Sequence, residues 1–334
     1  MPSKTSSPYG SWDSPITAEL ITQGGLRLAE VRADGSDVYW LEGRPEEAGR
    51  YVIVRRSPDG STADINPEGF NARNAVHEYG GGAFAVRDGV VYYTNWDDQR
   101  IYRASASGDP VAMTGEPAIE RGDRYADLTL SSDSNWILCV RERHHEGREA
   151  DNELVAVPTD GSGDVQLLAT GHDFYSSPRQ NSAGDMICWL SWDHPNMPWD
   201  GCELWVAEFD SATGLISSER LATGGADVSI VQPEWSPDGT LVFISDESGW
   251  WNLTKWAGDK VVPVFAEEVD HGGPAWAFGF RTYAFTQDGA VVLKDSQGDK
   301  GRFRKIGLNG NLISETPVSH TSMSDVTVIG EDVV

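Results

Sequence analysis

The sequence predicts an all-β protein, a seven-bladed type of β-propeller made of four-stranded antiparallel blades, with six blades complete and the seventh truncated. Three observations predict it. Turn signals followed by apolar, strand-like runs recur about every fifty residues, the repeat length of a propeller blade. The runs alternate or are continuously apolar, as strands of stacked sheets covered on both faces must be. The 13 Trp, 10 Tyr and 10 Phe among 334 residues supply the aromatic side chains that favour strands and fill the space between sheets.

The clearest repeat element is PEWSPDGTLVFIS (233–245), where a Pro-Asp-Gly turn separates a short strand from an apolar one. SSDSNWILC (131–139) and NSAGDMICW (181–189) align with it and place Ser134, Gly184 and Gly239 at one equivalent turn position. Weaker copies put Gly35 before VYWLEGR, Gly89 before VVYYTNW, Gly289 before AVVLKD and Gly330 near the final Val-Val. These seven anchors set a register of blades at 26–66, 77–114, 125–170, 173–223, 228–266 and 274–317, with a seventh beginning near His320 and carrying one or two strands by Val334. A blade needs about four strands, and a sheet short of them exposes unpaired edges, so the natural polypeptide is expected to continue. Residues 1–22 do not fit the repeat and form a lead-in segment before the propeller at 23–334; Ile16 to Ile21 reads as a short helix within it.

Composition narrows the classes of function. With 52 acidic against 26 basic residues the surface repels phosphate backbones and anionic lipid, so neither nucleic acid nor membrane is an expected partner. The start has no apolar signal region and no run approaches membrane-spanning length, which predicts a cytoplasmic protein. Three cysteines, Cys139, Cys188 and Cys202, give no zinc spacing and no disulfide framework and read as buried free thiols. No G-x-S-x-G elbow, H-E-x-x-H, phosphate loop or dinucleotide fingerprint occurs, so no catalytic residue, metal ligand or cofactor is assigned. The neighbours His144, His145 and Glu146 read as a solvated hairpin loop rather than a metal site. Trp235 and the run Gly249-Trp-Trp-Asn252 read as packing between blades.

Two stretches carry the candidate contacts. In HEYGGGAF (77–84), Glu78 and Tyr79 stand beside three glycines. Glu78 can receive a substrate amine at the central channel, or the glycines only let an innermost strand fit where blades converge. In SWDHPNMPWD (191–200), two prolines stiffen a loop that presents Trp192, Asp193, His194, Trp199 and Asp200. Such a loop suits recognition of a peptide or partner domain, and a self-packed long hairpin is the competing reading.

PYGSWDSPITAELI, HEYGGGAF, NWDDQRIYR, SWDHPNMPWDGCELW, PEWSPDGTL and GWWNLTKW occur in this order, and with them the chain resembles the amino-terminal propeller of serine peptidases of the prolyl oligopeptidase family, in its acylaminoacyl-peptidase and dipeptidyl-peptidase-like branch. The resemblance implies a carboxy-terminal α/β-hydrolase domain with a Ser, Asp and His triad, absent from this chain. It implies a propeller that gates and positions peptide substrates, and a lead-in, 8–21, that packs on the hydrolase domain. The partners it implies are thus a peptide and that domain. A stand-alone propeller serving as a protein-interaction scaffold is the alternative.

Overall fold

The computed structural model describes residues 6–22, 24–105, 108–162, 164–297, 300–320 and 323–334. Six four-stranded antiparallel sheets follow one another along the chain, each with its strands in sequence order. They run Arg27–Asp34 to Thr62–Asp64, Phe84–Arg87 to Gly108–Ala112, Asp123–Leu130 to Gln166–Ala169, Phe174–Gln180 to Leu215–Gly224, Ile230–Trp235 to Val261–Phe265, and Tyr283–Phe285 to Leu312–Pro317. A hairpin of two short strands, Val328–Ile329 and Asp332–Val333, follows. The first strands of the first five blades touch in succession and so form the inner wall of the ring. Outermost strands such as Thr62–Asp64 and Leu312–Pro317 are exposed throughout.

All seven turn anchors have left-handed backbone, with φ from 59° at Gly35 to 84° at Gly239, and Ser134 at 62° is the one that is not glycine. A tight turn between antiparallel strands needs that conformation, and glycine reaches it without a Cβ clash. The core consists of layers between consecutive blades. Ala126, Leu138 and Leu154 of blade three meet Ile187, Trp189 and Phe209 of blade four, and equivalent clusters fill each seam from blade one to blade six. In the last layer Val326 is fully buried against Ala284 and Val292 of blade six. Each large side chain buried in this way contributes roughly 1.5–3 kcal/mol.

The innermost strands carry a recurring irregularity. Glu30, Asp127, Ser177 and Gln232 have φ of 54°, 57°, 57° and 50°, each within a register shift of its blade's first strand, and Gly82 holds the same conformation ahead of blade two. A bulge of this kind turns the extra residue out of the ladder. Here the freed side chains reach the next blade: Glu30 Oε2 accepts the Ala83 N–H at 2.9 Å, Asp127 Oδ2 that of Ser177 at 2.6 Å, and Gln232 Oε1 that of Thr282 at 2.7 Å.

Blades two and six begin later than the repeat register placed them, at Phe84 and Tyr283. The residues before them are not ladder strands, because left-handed glycines and bonds to other blades take them off the sheet. The expected helix in the lead-in is present as Ala18–Thr22, and Tyr9, Trp12, Ile16, Leu20 and Ile21 around it are exposed. Residues 1–5 of the lead-in lie outside the described residues. All three cysteines are buried free thiols. Trp235 and Trp251 pack between blades as expected, whereas Trp250 is largely exposed. His144 and His145 end the long strand Trp136–His145 rather than occupying a loop, and each ring contacts a carboxylate, of Glu142 and Asp151 respectively. No helix among the described residues is long and apolar enough to cross a membrane.

Candidate functional site

In sheets of four sequential antiparallel strands, the connections between blades and the turns between second and third strands share one face of the ring. The lead-in reaches blade one on that same face, and the candidate site lies there. Two connections create it. Residues 77–82 lead into blade two and 276–280 into blade six; these blades are not neighbours in the ring, yet the segments meet, with the Phe278 N–H donating to Gly80 O at 3.0 Å in a parallel bridge.

The backbone of this strap explains its sequence. His77, Glu78, Gly80, Gly81 and Gly82 all have positive φ, from 50° to 106°. A Cβ on Gly80 would lie 2.4 Å from Asn74 O, on Gly81 2.4 Å from Phe278 O, and on Gly82 2.5 Å from Asp127 Cα. Three glycines in a row are thus required by close approach to three different parts of the ring. Further bonds fix the strap: the His77 N–H donates to Glu142 Oε2 at 2.8 Å, Asn74 Nδ2 to Gly81 O at 2.9 Å, and the Leu128 N–H to Gly82 O at 3.0 Å.

Between the strap and blades three, four and five lies a cavity of about 310 Å³. Its walls are largely aromatic. Phe174 stacks on Trp192 with centroids 5.5 Å apart, the His77 ring stands edge-on to Phe174 at 4.9 Å, and Trp199 lies against Trp276 at 4.4 Å. Tyr79, edge-on to Trp276 at 5.8 Å, remains well exposed and forms the rim with it. Burial holds the His77 imidazole below its usual pKa, and its Nε2 lies 3.2 Å from Asn152 Oδ1.

The deep end is polar, where Asp127, Ser177, Arg179 and Gln232 line the cavity. Arg179 Nη2 donates to Asp127 at 3.0 Å and Nε to Glu234 at 3.3 Å. Nearby in the channel Arg281 reaches the same Glu234 oxygen at 3.4 Å, and Glu30 and Arg32 approach to 3.9 Å. Burial raises the Glu30 carboxyl to about 7, against the opposing pull of Arg32 and the Ala83 N–H. The result is an apolar mouth over a charged floor, suited to a ligand with an apolar group and a polar end.

The structure brings four of the seven candidate residues to this cavity: Glu78, Tyr79, Trp192 and Trp199. Glu78 is highly exposed at the rim, 3.6 Å from Arg124. The other three shape the loop that carries the tryptophans. Asp193 accepts from the Asp173 N–H at 2.7 Å and contacts the His172 ring at 2.9 Å, while His194 contacts Asp173 at 2.9 Å. Asp200 accepts the Met197 N–H at 2.9 Å. The loop is therefore self-packed, and it also walls the cavity. His77, Phe174, Arg179 and Trp276 also line the cavity; His77 opens the candidate stretch 77–84, and the other three carry no sequence signal beyond membership of inter-blade segments or inner strands. Among the described residues, Glu267, His271 and Asp295 are close enough to suggest a metal centre. The Arg304 guanidinium occupies that position instead, 2.5 Å from Glu267, 2.9 Å from His271 and bonded to Asp295, so the group is an ion-pair network around an internal cation.

No family model and no curated protein sequence matches the chain. Solved structures do. A puromycin-hydrolysing peptidase of Mycobacterium tuberculosis shares 32% identity over 98% of this chain with a TM-score of 0.86, and a puromycin hydrolase shares 32% over 98% with a TM-score of 0.87. The chain spans about half of each, 52%. A prolyl endopeptidase is similar over 91% of the chain at 11% identity and TM-score 0.65, a likeness of fold alone.

Proposed function

We propose, from the premise that the chain belongs to the prolyl oligopeptidase family and matches its amino-terminal propeller, that it gates and positions substrate for a serine peptidase cleaving short peptides or acyl-peptides. The observation that carries this reading is the aromatic cavity on the face where the lead-in arrives. About 310 Å³ holds one or two side chains and excludes a folded domain. The strap narrows the channel at that face, so access favours small, extended molecules. The two similar hydrolases are named for puromycin, a small aminoacylated nucleoside, which fits the same limits.

On this reading residues 1–22 are a lead-in whose exposed Tyr9, Trp12, Ile16 and Leu20 face a hydrolase domain, and 23–334 are the propeller. The protein works in the cytoplasm, which agrees with three unpaired, buried cysteines. The triad lies outside this chain, within the acylaminoacyl-peptidase and dipeptidyl-peptidase-like branch to which SWDHPNMPWDG points. Similarity over 98% of the chain to half of a peptidase disfavours the scaffold alternative.

The test is binding of short aromatic peptides to the 334-residue chain, followed by tryptophan fluorescence, with Trp199→Ala and Tyr79→Ala beside the parent. Binding weakened about tenfold with folding intact is expected, as for loss of an aromatic contact to the ligand. Affinity unchanged in both variants would remove the cavity from the substrate path. The chain alone is expected to show no serine-reagent-sensitive hydrolysis, and such activity would overturn the gating role.

A further inference from the structure

The charged groups below the cavity are not evenly matched. Arg179 is fully engaged, by Asp127 at 3.0 Å, Glu234 at 3.3 Å and Pro178 O at 2.8 Å. Among the described residues, Arg281 has one long contact, 3.4 Å to the Glu234 oxygen that Arg179 already uses, and its buried Nε has no hydrogen-bond partner. Among the described residues, the one hydrogen bond from the Arg32 guanidinium goes to its own neighbour, Val31 O at 2.9 Å; the group lies 5.8 Å from the Phe84 ring centroid and 3.9 Å from a Glu30 oxygen that is accepting the Ala83 N–H.

Both under-bonded guanidiniums belong to residues that adjoin Gly279 of the cavity wall: Arg32 approaches it from blade one, and Arg281 follows it by two residues. After burial, repulsion by Arg281 is the main influence lowering the Arg32 pKa. Arg32 Nη2 would stand 3.3 Å from a Cβ built on Gly279, a cavity-lining residue, and Arg281 shares its carboxylate with Arg179 of the cavity floor. Glu30, raised to about 7 by burial, offers Arg32 only a partial counter-charge near neutral pH. Asp325 also influences Arg32 electrostatically but makes no ion pair with it. A chain with net charge −26 therefore keeps two cations with unused donors beside an aromatic pocket.

We propose that Arg281 and Arg32 form an anion site in the channel beside the cavity floor that takes the carboxylate of a short peptide whose apolar side chain sits among Trp192, Trp199 and Trp276. A carboxylate supplies the acceptors both guanidiniums lack, in a desolvated setting where charge-assisted bonds are strongest. This rests on the peptide-binding reading of the cavity, and the experiment separates the two.

Calorimetric titration of the full chain compares one short aromatic peptide as the free acid, the same peptide as its carboxamide, and inorganic phosphate. The free acid is expected to bind at least about tenfold tighter than the amide, as for one charge-assisted bond, and phosphate to compete with the acid but not the amide. Arg281→Gln is expected to bring acid and amide to within about twofold. Equal affinity of acid and amide for the parent protein overturns the anion site while leaving the peptide cavity standing, and needs no variant to fold. Binding of neither peptide overturns both. Binding of phosphate with no effect on the acid overturns the assignment of the peptide carboxylate to this site.

Discussion

Asp127 and Ser177 lie one repeat apart in sequence and one blade apart in the ring, and the carboxylate of the first accepts the N–H of the second at 2.6 Å. Its other oxygen accepts Arg179 at 3.0 Å, so one buried side chain ties the bulges of two blades and holds the floor of the cavity. Asp127→Ala leaves Arg179 short of a partner and the Ser177 N–H without an acceptor. We expect a loss of about 3 kcal/mol in urea-induced unfolding, in the range for breaking a buried pair. Asp127→Asn, which keeps an acceptor, should lose less. Equal losses would show that the neutral acceptor recovers nothing and that the charge carries the whole effect.

Gly81 tests the strap. Its φ of 106° and the 2.4 Å separation between Phe278 O and a Cβ placed there mean that Gly81→Ala must push the two segments apart. A loss of about 2 kcal/mol or more is expected. Gly239→Ala is the comparison, since φ is 84° there but nothing lies within 4 Å, and strain alone should cost about 1 kcal/mol. Thermal melts of the two variants decide it, and indistinguishable values would mean that the strap yields freely.

Glu30 predicts a pH dependence. Burial raises its folded pKa to about 7, above the unfolded value of 4.5, so between these pH values the folded state holds more protons than the unfolded one. Stability from this group therefore falls as pH rises from about 4.5 to 7, by up to about 3 kcal/mol. Glu30→Gln keeps an acceptor for Ala83 and removes the titration. Its unfolding free energy should gain on the parent's as pH is raised from 5 to 8, and parallel curves would contradict the assignment.

Ser134 is the single anchor that holds left-handed backbone with a side chain. Ser134→Gly relieves that conformation but frees the unfolded chain and loses a 3.3 Å contact from Arg87. A change within about 1 kcal/mol is expected. A larger loss would show that the hydroxyl, rather than the backbone, holds this turn.

The blades were legible because each is a local meander: a turn residue that must reach positive φ, such as Gly184 or Gly239, is followed directly by the strand it introduces. Boundaries failed at 77–83 and 274–282, where the chain looks apolar and glycine-rich like an inner strand but bonds across the ring. The loop at 191–200 was visible as an unusual stretch. That Trp192 and Trp199 face the cavity while Asp193, His194 and Asp200 hold the loop together depends on Asp173, His172 and Met197 as partners.

The sequence by itself determined the repeat, the blade order, the buried thiols and the resemblance to a peptidase propeller, because these depend on residue types at short spacing. Only the tertiary structure decided that His77, Phe174, Arg179 and Trp276 share one cavity and that Arg32 lies against Gly279 of its wall. The curvature of the ring is the reason: it brings the approach to blade two against the approach to blade six, a contact between Gly80 and Phe278 that no local pattern encodes.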